Sequence, residues 1–201
     1  MRNLTAAACL AVALLIGNVG TSWSSDLLKG LEAYVSRDYA TALQEFTPLA
    51  EQGEPGAQFF LGGMYSLGRG VPQDYKAALK WYRLAAEQGH AGAQNNLGFM
   101  YDQGKGVPQN YKAALKWYRL AAQQENALAQ FKLGTMYYKG EGVPQDYLRA
   151  HMWFNIAAAK GDDLGSTIRD GIAIDKYMTP TAIETAQRLA RECMAKDYKG
   201  C

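Results

Sequence analysis

The chain has 201 residues, of which 48% are hydrophobic and 20% are charged. This composition is that of an ordinary globular protein, and the length suits one domain or one array of repeats. The formal net charge is only +2 and the lysines are dispersed, which argues against a nucleic-acid-binding protein because such surfaces concentrate positive charge.

The first 24 residues have the layout of a secretory signal peptide. A positive charge at Arg2 precedes an apolar run over residues 6–16, and small and polar residues follow. The run is shorter than a bilayer-spanning helix requires, and Ser22 and Ser24 fit a small-x-small cleavage site. We therefore expect residues 1–24 to be removed and the mature protein to be periplasmic or secreted, without stable membrane insertion. An uncleaved membrane anchor is the alternative.

A 36-residue period dominates the chain after this segment. The stretch GVPQDYKAALKWYRLAAEQG, which begins at Gly70, returns almost unchanged at Gly106 and in altered form at Gly142. The segment before each copy, AQFFLGGMYSLGRG in the first, recurs with the same spacing. A fixed period of this size is typical of a solenoid, in which each unit buries its apolar side against a like neighbour. The predicted repeats are residues 55–90, 91–126 and 127–162.

Each repeat is predicted to hold two helices. In the second helix, Ala78, Tyr82 and Ala86 are four residues apart beside Trp81, which gives one apolar side. In the first helix, a leucine and a tyrosine four apart share a face. The glycine after that leucine costs about 0.5–1 kcal/mol inside a helix, which indicates that a neighbouring helix crosses there. These framework residues are Leu61, Gly62, Tyr65, Trp81 and Tyr82, then Leu97, Gly98, Tyr101, Trp117 and Tyr118, and then Leu133, Gly134, Tyr137, Trp153 and Phe154.

The connection GxGVPQD is predicted to end one helix and start the next. A glycine just past a helix can adopt the left-handed conformation that ends it, and proline biases the preceding residue to an extended form. Asp74, Asn110 and Asp146 stand where a side-chain oxygen can cap the second helix. Neither GKS nor GKT follows the glycines, so a phosphate-binding loop is excluded.

Both ends of the repeated region depart from the pattern. Residues 25–54 look like a degenerate N-terminal repeat that lacks the Trp–Tyr pair and the glycine loop. Residues 163–201 are predicted to form C-terminal capping helices, with Pro180 in the first turn of one of them. Such differences are expected because the outer faces of terminal repeats meet water.

Cysteine usage fits an exported protein. Removal of residues 1–24 takes Cys9 away and leaves Cys193 and Cys201. A disulfide between these two residues would close a short loop at the tail, and an oxidising compartment would permit it. Two unpaired thiols are the alternative.

The repeated pattern resembles that of the Sel1-like repeats, relatives of the tetratricopeptide repeats. Three copies follow A-x-x-x-L-G-x-M-Y-x-x-G-x-G-V-P-x-D-x-x-x-A-x-x-W-Y-x-x-A-A-x-x-G between Pro55 and Asp162, with few departures. The resemblance implies an all-α fold, a right-handed α/α superhelix of helix pairs. It also implies a role in protein–protein recognition.

Little in the sequence indicates catalysis or metal binding. His151 has no cysteine or second histidine at i+3 or i+4, and a zinc site needs three or four ligands. No GxSxG occurs. Some cysteine-rich exported members of the family have been linked to penicillin binding or β-lactamase activity, but their repeated cysteine pairs and S-x-x-K with K-T-G are missing here. We expect no catalytic residue, metal or cofactor. Penicillin binding or β-lactamase activity is the enzymatic alternative.

A further face of the first helices varies between copies while the framework does not. It comprises the positions two before, two after and five after the repeated leucine. The resemblance implies that this face is concave and binds a protein or peptide, with aromatic anchors; core packing of the aromatic residues is the alternative. We expect an exported, non-catalytic scaffold that regulates a partner at the cell envelope, or else a secreted effector that binds a host protein. The candidate partner-binding residues are Phe59, Gly63, Ser66, Asn95, Phe99, Asp102, Phe131, Thr135 and Tyr138.

Overall fold

A computed structural model of the chain describes residues 25–159 and 177–201. The predicted signal peptide, residues 1–24, and the first part of the predicted C-terminal cap lie outside the described residues. Within the described ranges the secondary structure consists of nine α-helices without a strand, which confirms the all-α class. The helices are α1 (Ser25–Val35), α2 (Tyr39–Glu51), α3 (Pro55–Leu67), α4 (Tyr75–Glu87), α5 (Ala91–Gln103), α6 (Tyr111–Gln123), α7 (Ala127–Lys139), α8 (Tyr147–Ala158) and α9 (Pro180–Ala195).

The described residues divide into two compact units, of which the first ends at Gln109 and the second begins at Asn110. In the first unit, each of the helices α2 to α5 packs against the helix before it. In the second unit, α7 packs against α6, α8 against α7 and α9 against α8. Helices that are consecutive in the described sequence are therefore neighbours in space within each unit. The predicted solenoid of helix pairs is confirmed.

The repeated leucines and glycines of the first helices lie in the core. Leu61 is buried, and a Cβ on Gly62 would come within 2.8 Å of the Tyr82 ring. Likewise, a Cβ on Gly134 would come within 2.6 Å of the Phe154 ring. The predicted close helix crossing at the glycine is confirmed at both positions. Leu97, Gly98, Tyr118, Leu133, Tyr137 and Trp153 are also buried, whereas Tyr65 and Tyr101 are half-buried.

The second helices of the first two repeats, α4 and α6, bury their tyrosine more deeply than their tryptophan. Tyr82 is buried in α4, whereas Trp81 is half-buried. Successive helical residues are rotated by about 100°, so Trp81 lies at the edge of the apolar side. The Lys80 ammonium lies 5.3 Å from the centroid of its ring, and Lys116 lies 5.5 Å from that of Trp117. The core side of these helices is therefore narrower than the sequence pattern indicated.

A buried glutamine joins each repeat to the helix before it. The Nε2 atoms of Gln58, Gln94 and Gln130 donate to the carbonyl oxygen of the alanine eight residues earlier, at 3.0, 3.1 and 3.2 Å. Each of these alanines lies in the last turn of the preceding second helix, where carbonyl groups lack a partner inside the helix. These carbonyl groups also accept a backbone N–H from the turn that follows, as when Gly89 donates to Ala86 at 3.0 Å. The glutamine therefore adds a second hydrogen bond at a helix end and connects two repeats.

The second glycine of each loop contacts the preceding repeat. Gly106 has φ +70°, and a Cβ there would overlap the Tyr75 carbonyl oxygen and lie 2.6 Å from the carbonyl carbon. Glycine permits both this backbone conformation and this close approach. Because Tyr75 begins α4, the loop of one repeat packs on the start of the preceding second helix. The equivalent contacts join Gly70 to Tyr39 and Gly142 to Tyr111.

The predicted helix ends are confirmed. Asp74 Oδ1 accepts hydrogen bonds from the backbone N–H groups of Lys76 and Ala77, at 2.8 and 3.1 Å. Asn110 and Asp146 cap α6 and α8 in the same role. The first glycine of each loop ends a first helix in the left-handed conformation, as at residues 68, 104 and 140.

Each end of the described chain is held by a specific contact. In the α1–α2 pair, Gly30 packs against the ring of Phe46, which repeats the crossing of glycine and aromatic ring. At the other end, Cys193 on α9 forms a disulfide with Cys201, with 5.9 Å between their Cα atoms. Tyr198, inside the closed loop, is buried. The disulfide therefore ties the tail to α9.

Candidate partner-binding surface

We use the name first-helix face for the nine candidate partner-binding residues. Those of the first unit lie on α3 and α5, and those of the second unit lie on α7. Phe99 is exposed, at 36%, whereas Asp102 is buried. The other members, Phe59, Gly63, Ser66, Asn95, Phe131, Thr135 and Tyr138, are half-buried. Most of this face is therefore more accessible than the leucines and glycines of the framework.

Phe99 is paired with a cation that the sequence patterns did not point to. The Nζ atom of Lys105 lies 5.1 Å from the centroids of both the Phe99 ring and the Tyr75 ring. Lys105 belongs to the loop after α5, and Tyr75 begins α4. A cation over an aromatic face is attracted by the ring quadrupole. The two rings thus hold the ammonium group of this half-buried residue beside the exposed phenylalanine.

A polar strip lies beside this aromatic pair. Burial raises the pKa of Tyr82 to about 12, against the opposing influence of the nearby Asn96 and Ser66 side chains, so the hydroxyl stays protonated at neutral pH. Asn95 Nδ2 donates to Asn96 Oδ1 at 3.2 Å. A Cβ on Gly63 would lie 3.5 Å from the Tyr82 hydroxyl oxygen. Amide and hydroxyl groups of this kind can both donate to and accept from a peptide backbone.

Phe59 takes part in core packing as well as in the face. Its ring stacks on His90, with centroids 4.6 Å apart, and contacts the rings of Phe60 and Tyr82. His90 Nδ1 accepts a hydrogen bond from the backbone N–H of Ala93 at 3.1 Å, which caps α5. Burial lowers the pKa of His90 to about 4. The imidazole is therefore neutral at pH 7, as this acceptor role requires.

Asp102 departs from the expected surface position. Only 7% of the residue is exposed. Its carboxylate accepts a hydrogen bond from Gln103 Nε2 at 2.9 Å, and its backbone carbonyl accepts one from Gln109 Nε2 at 2.7 Å. Because this side chain is buried and bonded to Gln103, Asp102 belongs to the interior beneath the face.

In the second unit, Tyr138 of the first-helix face belongs to a cluster of tyrosines. The rings of Tyr138 and Tyr147 lie 5.7 Å apart, and Tyr177 stacks on Tyr147 at 5.1 Å with an interplanar angle of 11°. Tyr177 is 50% exposed. Nearby on α7, Phe131 packs on Phe154, with centroids 5.6 Å apart. The second unit therefore combines one core-facing phenylalanine with an accessible aromatic cluster.

Other kinds of site find no support in the described ranges. No group of three or more His, Cys, Asp or Glu side chains among residues 25–159 and 177–201 could hold a metal ion. None of the helices in those ranges combines the length and the apolar character that crossing a bilayer requires. A cavity of about 500 Å³ lies beside Trp81 and Leu84, and one of about 410 Å³ lies beside the disulfide. The first-helix face lines neither of them.

Lys105 is the main residue of this surface that the sequence analysis missed. The position between the two glycines of the loop holds Arg69, Lys105 and Glu141 in the three repeats. The charge at this position therefore varies between repeats, while the glycines on either side stay constant. A variable position between constant glycines is the signal that could have identified Lys105.

The comparisons with known proteins agree with the fold. The Sel1 repeat family matches residues 55–90, 91–126 and 127–162. A Sel1 repeat protein from Oxalobacter formigenes is similar in structure, with 37% identity, a TM-score of 0.68 and coverage of 73% of this chain and 59% of that chain. The protein c5321, a protective antigen of uropathogenic Escherichia coli strains, displays an SLR fold and is also similar in structure. It has 26% identity, a TM-score of 0.59 and coverage of 87% of this chain and 47% of that chain.

This chain therefore spans only about half to three fifths of the length of those two structures. A search of curated proteins finds no significant match. The three family matches together span more than half of the 201 residues, and they coincide with the repeated helix pairs. The chain belongs to the Sel1 repeat family.

Proposed function

We propose that this protein is an exported, non-catalytic scaffold that binds a protein or peptide partner along the first-helix face and regulates it at the cell envelope. The Sel1 repeat fold supports the interaction role. The observation that carries the proposal is the exposure of Phe99 beside the polar strip of Ser66, Asn95 and Asn96. An exposed aromatic ring next to hydrogen-bonding groups is the composition that protein interfaces favour.

The chemistry of this surface suits an extended peptide. The Phe99 ring offers an apolar anchor, and truncation of such an anchor commonly costs about 2 kcal/mol or more of binding free energy. The amide groups of Asn95 and Asn96 can bond to the backbone of the bound segment. The framework beneath is buried, so the surface is preorganised and little ordering accompanies binding.

Export is supported by two separate features. The segment of residues 1–24 has the layout of a signal peptide, and the disulfide between Cys193 and Cys201 suits an oxidising compartment. Mass spectrometry of the protein purified from its host would give the mature N-terminus. Recovery of a shortened chain from the osmotic-shock fraction is expected for a periplasmic protein, and recovery from the culture supernatant would favour a secreted effector.

Site-specific photo-crosslinking tests the proposed surface. A photoreactive amino acid is placed at Phe99 or, as a control in the same unit, at Lys80 on the exposed side of α4. We expect one protein partner to be crosslinked from position 99 but not from position 80, with competition by unlabelled wild type. Crosslinking of equal strength from both positions would contradict the assignment of the surface.

Phe99→Ala then measures the anchor directly. Because the ring is partly exposed, its removal should weaken partner binding at least tenfold, as expected for an anchor, while the melting temperature changes little. Isothermal titration with the identified partner and thermal unfolding give the two quantities. A large fall in melting temperature with unchanged affinity would show that Phe99 is a core residue.

A further inference from the structure

The ammonium of Lys105 is held by aromatic rings, and among residues 25–159 and 177–201 no carboxylate pairs with it. Its Nζ atom lies 5.1 Å from the centroids of the Tyr75 and Phe99 rings, and the residue is half-buried. In the described part of the chain it forms no ion pair with a carboxylate. The neighbouring acid, Asp102, is buried and bonded to Gln103. The positive charge of this half-buried residue is therefore available to a carboxylate from outside the chain.

The equivalent positions show that this charge is independent of the framework. Arg69 lies 5.6 Å from the centroids of both the Tyr34 and the Tyr39 ring and donates to the Tyr34 hydroxyl. In the third repeat the position is occupied by Glu141, whose carboxylate is 3.7 Å from the Lys139 ammonium. The glycine loop therefore folds with either sign of charge at this position. A structural need of the loop does not explain the cation.

We propose that Phe99 and Lys105 form a subsite for a peptide segment in which an acidic side chain stands beside an apolar one. This inference rests on the proposed function and names the chemistry of the partner. The exposed ring of Phe99 packs on the apolar side chain, and the Lys105 ammonium pairs with the carboxylate. The two rings limit the freedom of the lysine, so less side-chain entropy is lost on pairing than at a free surface lysine.

Two pools of fluorescent peptides test this subsite. Both pools contain randomised 12-residue peptides with a central leucine or phenylalanine, and they differ only in whether aspartate or asparagine follows it. Mature protein is titrated as wild type, Lys105→Met, which keeps an apolar side chain, and Lys105→Arg, which keeps the charge. Lys80→Met is the matched control, because Lys80 also lies over an aromatic ring in the first unit but on the second helix.

We expect wild type to bind the aspartate pool about fivefold more tightly than the asparagine pool at low salt, with a smaller ratio at high salt. Lys105→Met should equalise the pools, while Lys105→Arg and Lys80→Met should keep the preference. A preference that survives in Lys105→Met would overturn the subsite. Equal binding of both pools by wild type, weakened by Phe99→Ala, would overturn the acidic preference but leave the scaffold standing. Binding of neither pool would overturn both proposals.

Discussion

The contacts that join successive repeats, here called the joints, differ from the first-helix face in how far their residues vary from one repeat to the next. At the joints, the same residues make the same contacts each time, as the buried hydrogen bonds of Gln58, Gln94 and Gln130 show. On the face, equivalent positions hold different residues, such as Phe59 and Asn95. The joints are buried and matched to backbone groups, whereas the face is partly exposed. A constant joint therefore permits a face that can vary without loss of the fold.

The joints also explain why the same sequence recurs in three repeats. Each helix pair has a face of alanines that a neighbouring repeat covers, and a carbonyl group at its helix end accepts a further hydrogen bond from that repeat. The loop glycine Gly106 and the glutamine Gln94 both contact residues of the preceding repeat, Tyr75 and Ala86. Stability should consequently be far more sensitive to changes at the joints than to changes on the face.

The largest effect is expected at a joint, for Gly106→Ala. The new Cβ would overlap the Tyr75 carbonyl group, and alanine at a φ of +70° adds about 1–2 kcal/mol of strain. Together with the overlap, which typically costs about 1–3 kcal/mol, the free energy of unfolding should fall by about 3 kcal/mol. Gly89→Ala is the control, because Gly89 has φ +92° but no atom within 4 Å of its Cβ position.

Urea denaturation of the two alanine variants separates strain from contact. Gly89→Ala should lose about 1–2 kcal/mol, from strain alone. Equal losses in both variants would show that the contact between Gly106 and Tyr75 adds nothing, and that the joint is not the source of stability.

An intermediate loss of stability is expected at acidic pH, and it arises from His90, which lies beneath the face. Its pKa is lowered from 6.5 to about 4 by burial. Above pH 6.5 the imidazole is neutral in both states and its stabilising contribution is fully present. Between pH 6.5 and about 4 the unfolded chain binds a proton that the folded chain excludes, so stability falls by about 1.4 kcal/mol per pH unit. The loss should reach about 2 kcal/mol at pH 5.

His90→Asn isolates this term, because asparagine caps the next first helix at Asn126. The variant keeps a capping side chain that does not titrate. Free energies of unfolding at pH 7 and pH 5 should differ by about 2 kcal/mol less in the variant than in wild type. The same pH dependence in both proteins would show that His90 is not buried in its neutral form.

The repetition made much of the fold predictable. A 36-residue period with apolar residues four apart indicated two helices per repeat, and Asp74 and the loop glycines marked the helix ends because these signals are local. The joint between Gly106 and Tyr75 could not be predicted in this way, since the two residues are 31 positions apart and only the folded stack brings them together. The capping role of His90 is local, but the sequence analysis missed it because histidine is not among the residues preferred at N-caps.

The first-helix face was predicted as a set of positions, but the depth of each side chain was not. Asp102 and Ser66 occupy equivalent positions, yet the aspartate is buried and the serine half-buried. Helical periodicity gives the direction of a side chain, whereas burial depends on what the following loop covers. Lys105 was missed because it lies in that loop and contacts the face through Phe99.

The most direct test of the account grafts the face of one repeat onto the framework of another. Asn95→Phe combined with Phe99→Thr gives the second repeat the residues that the third repeat carries as Phe131 and Thr135. The decisive measurement is the free energy of unfolding of this double variant by urea denaturation. We expect a value within about 1 kcal/mol of wild type, because substitutions away from the joints have small effects. A loss as large as that of Gly106→Ala would contradict the separation of framework and face.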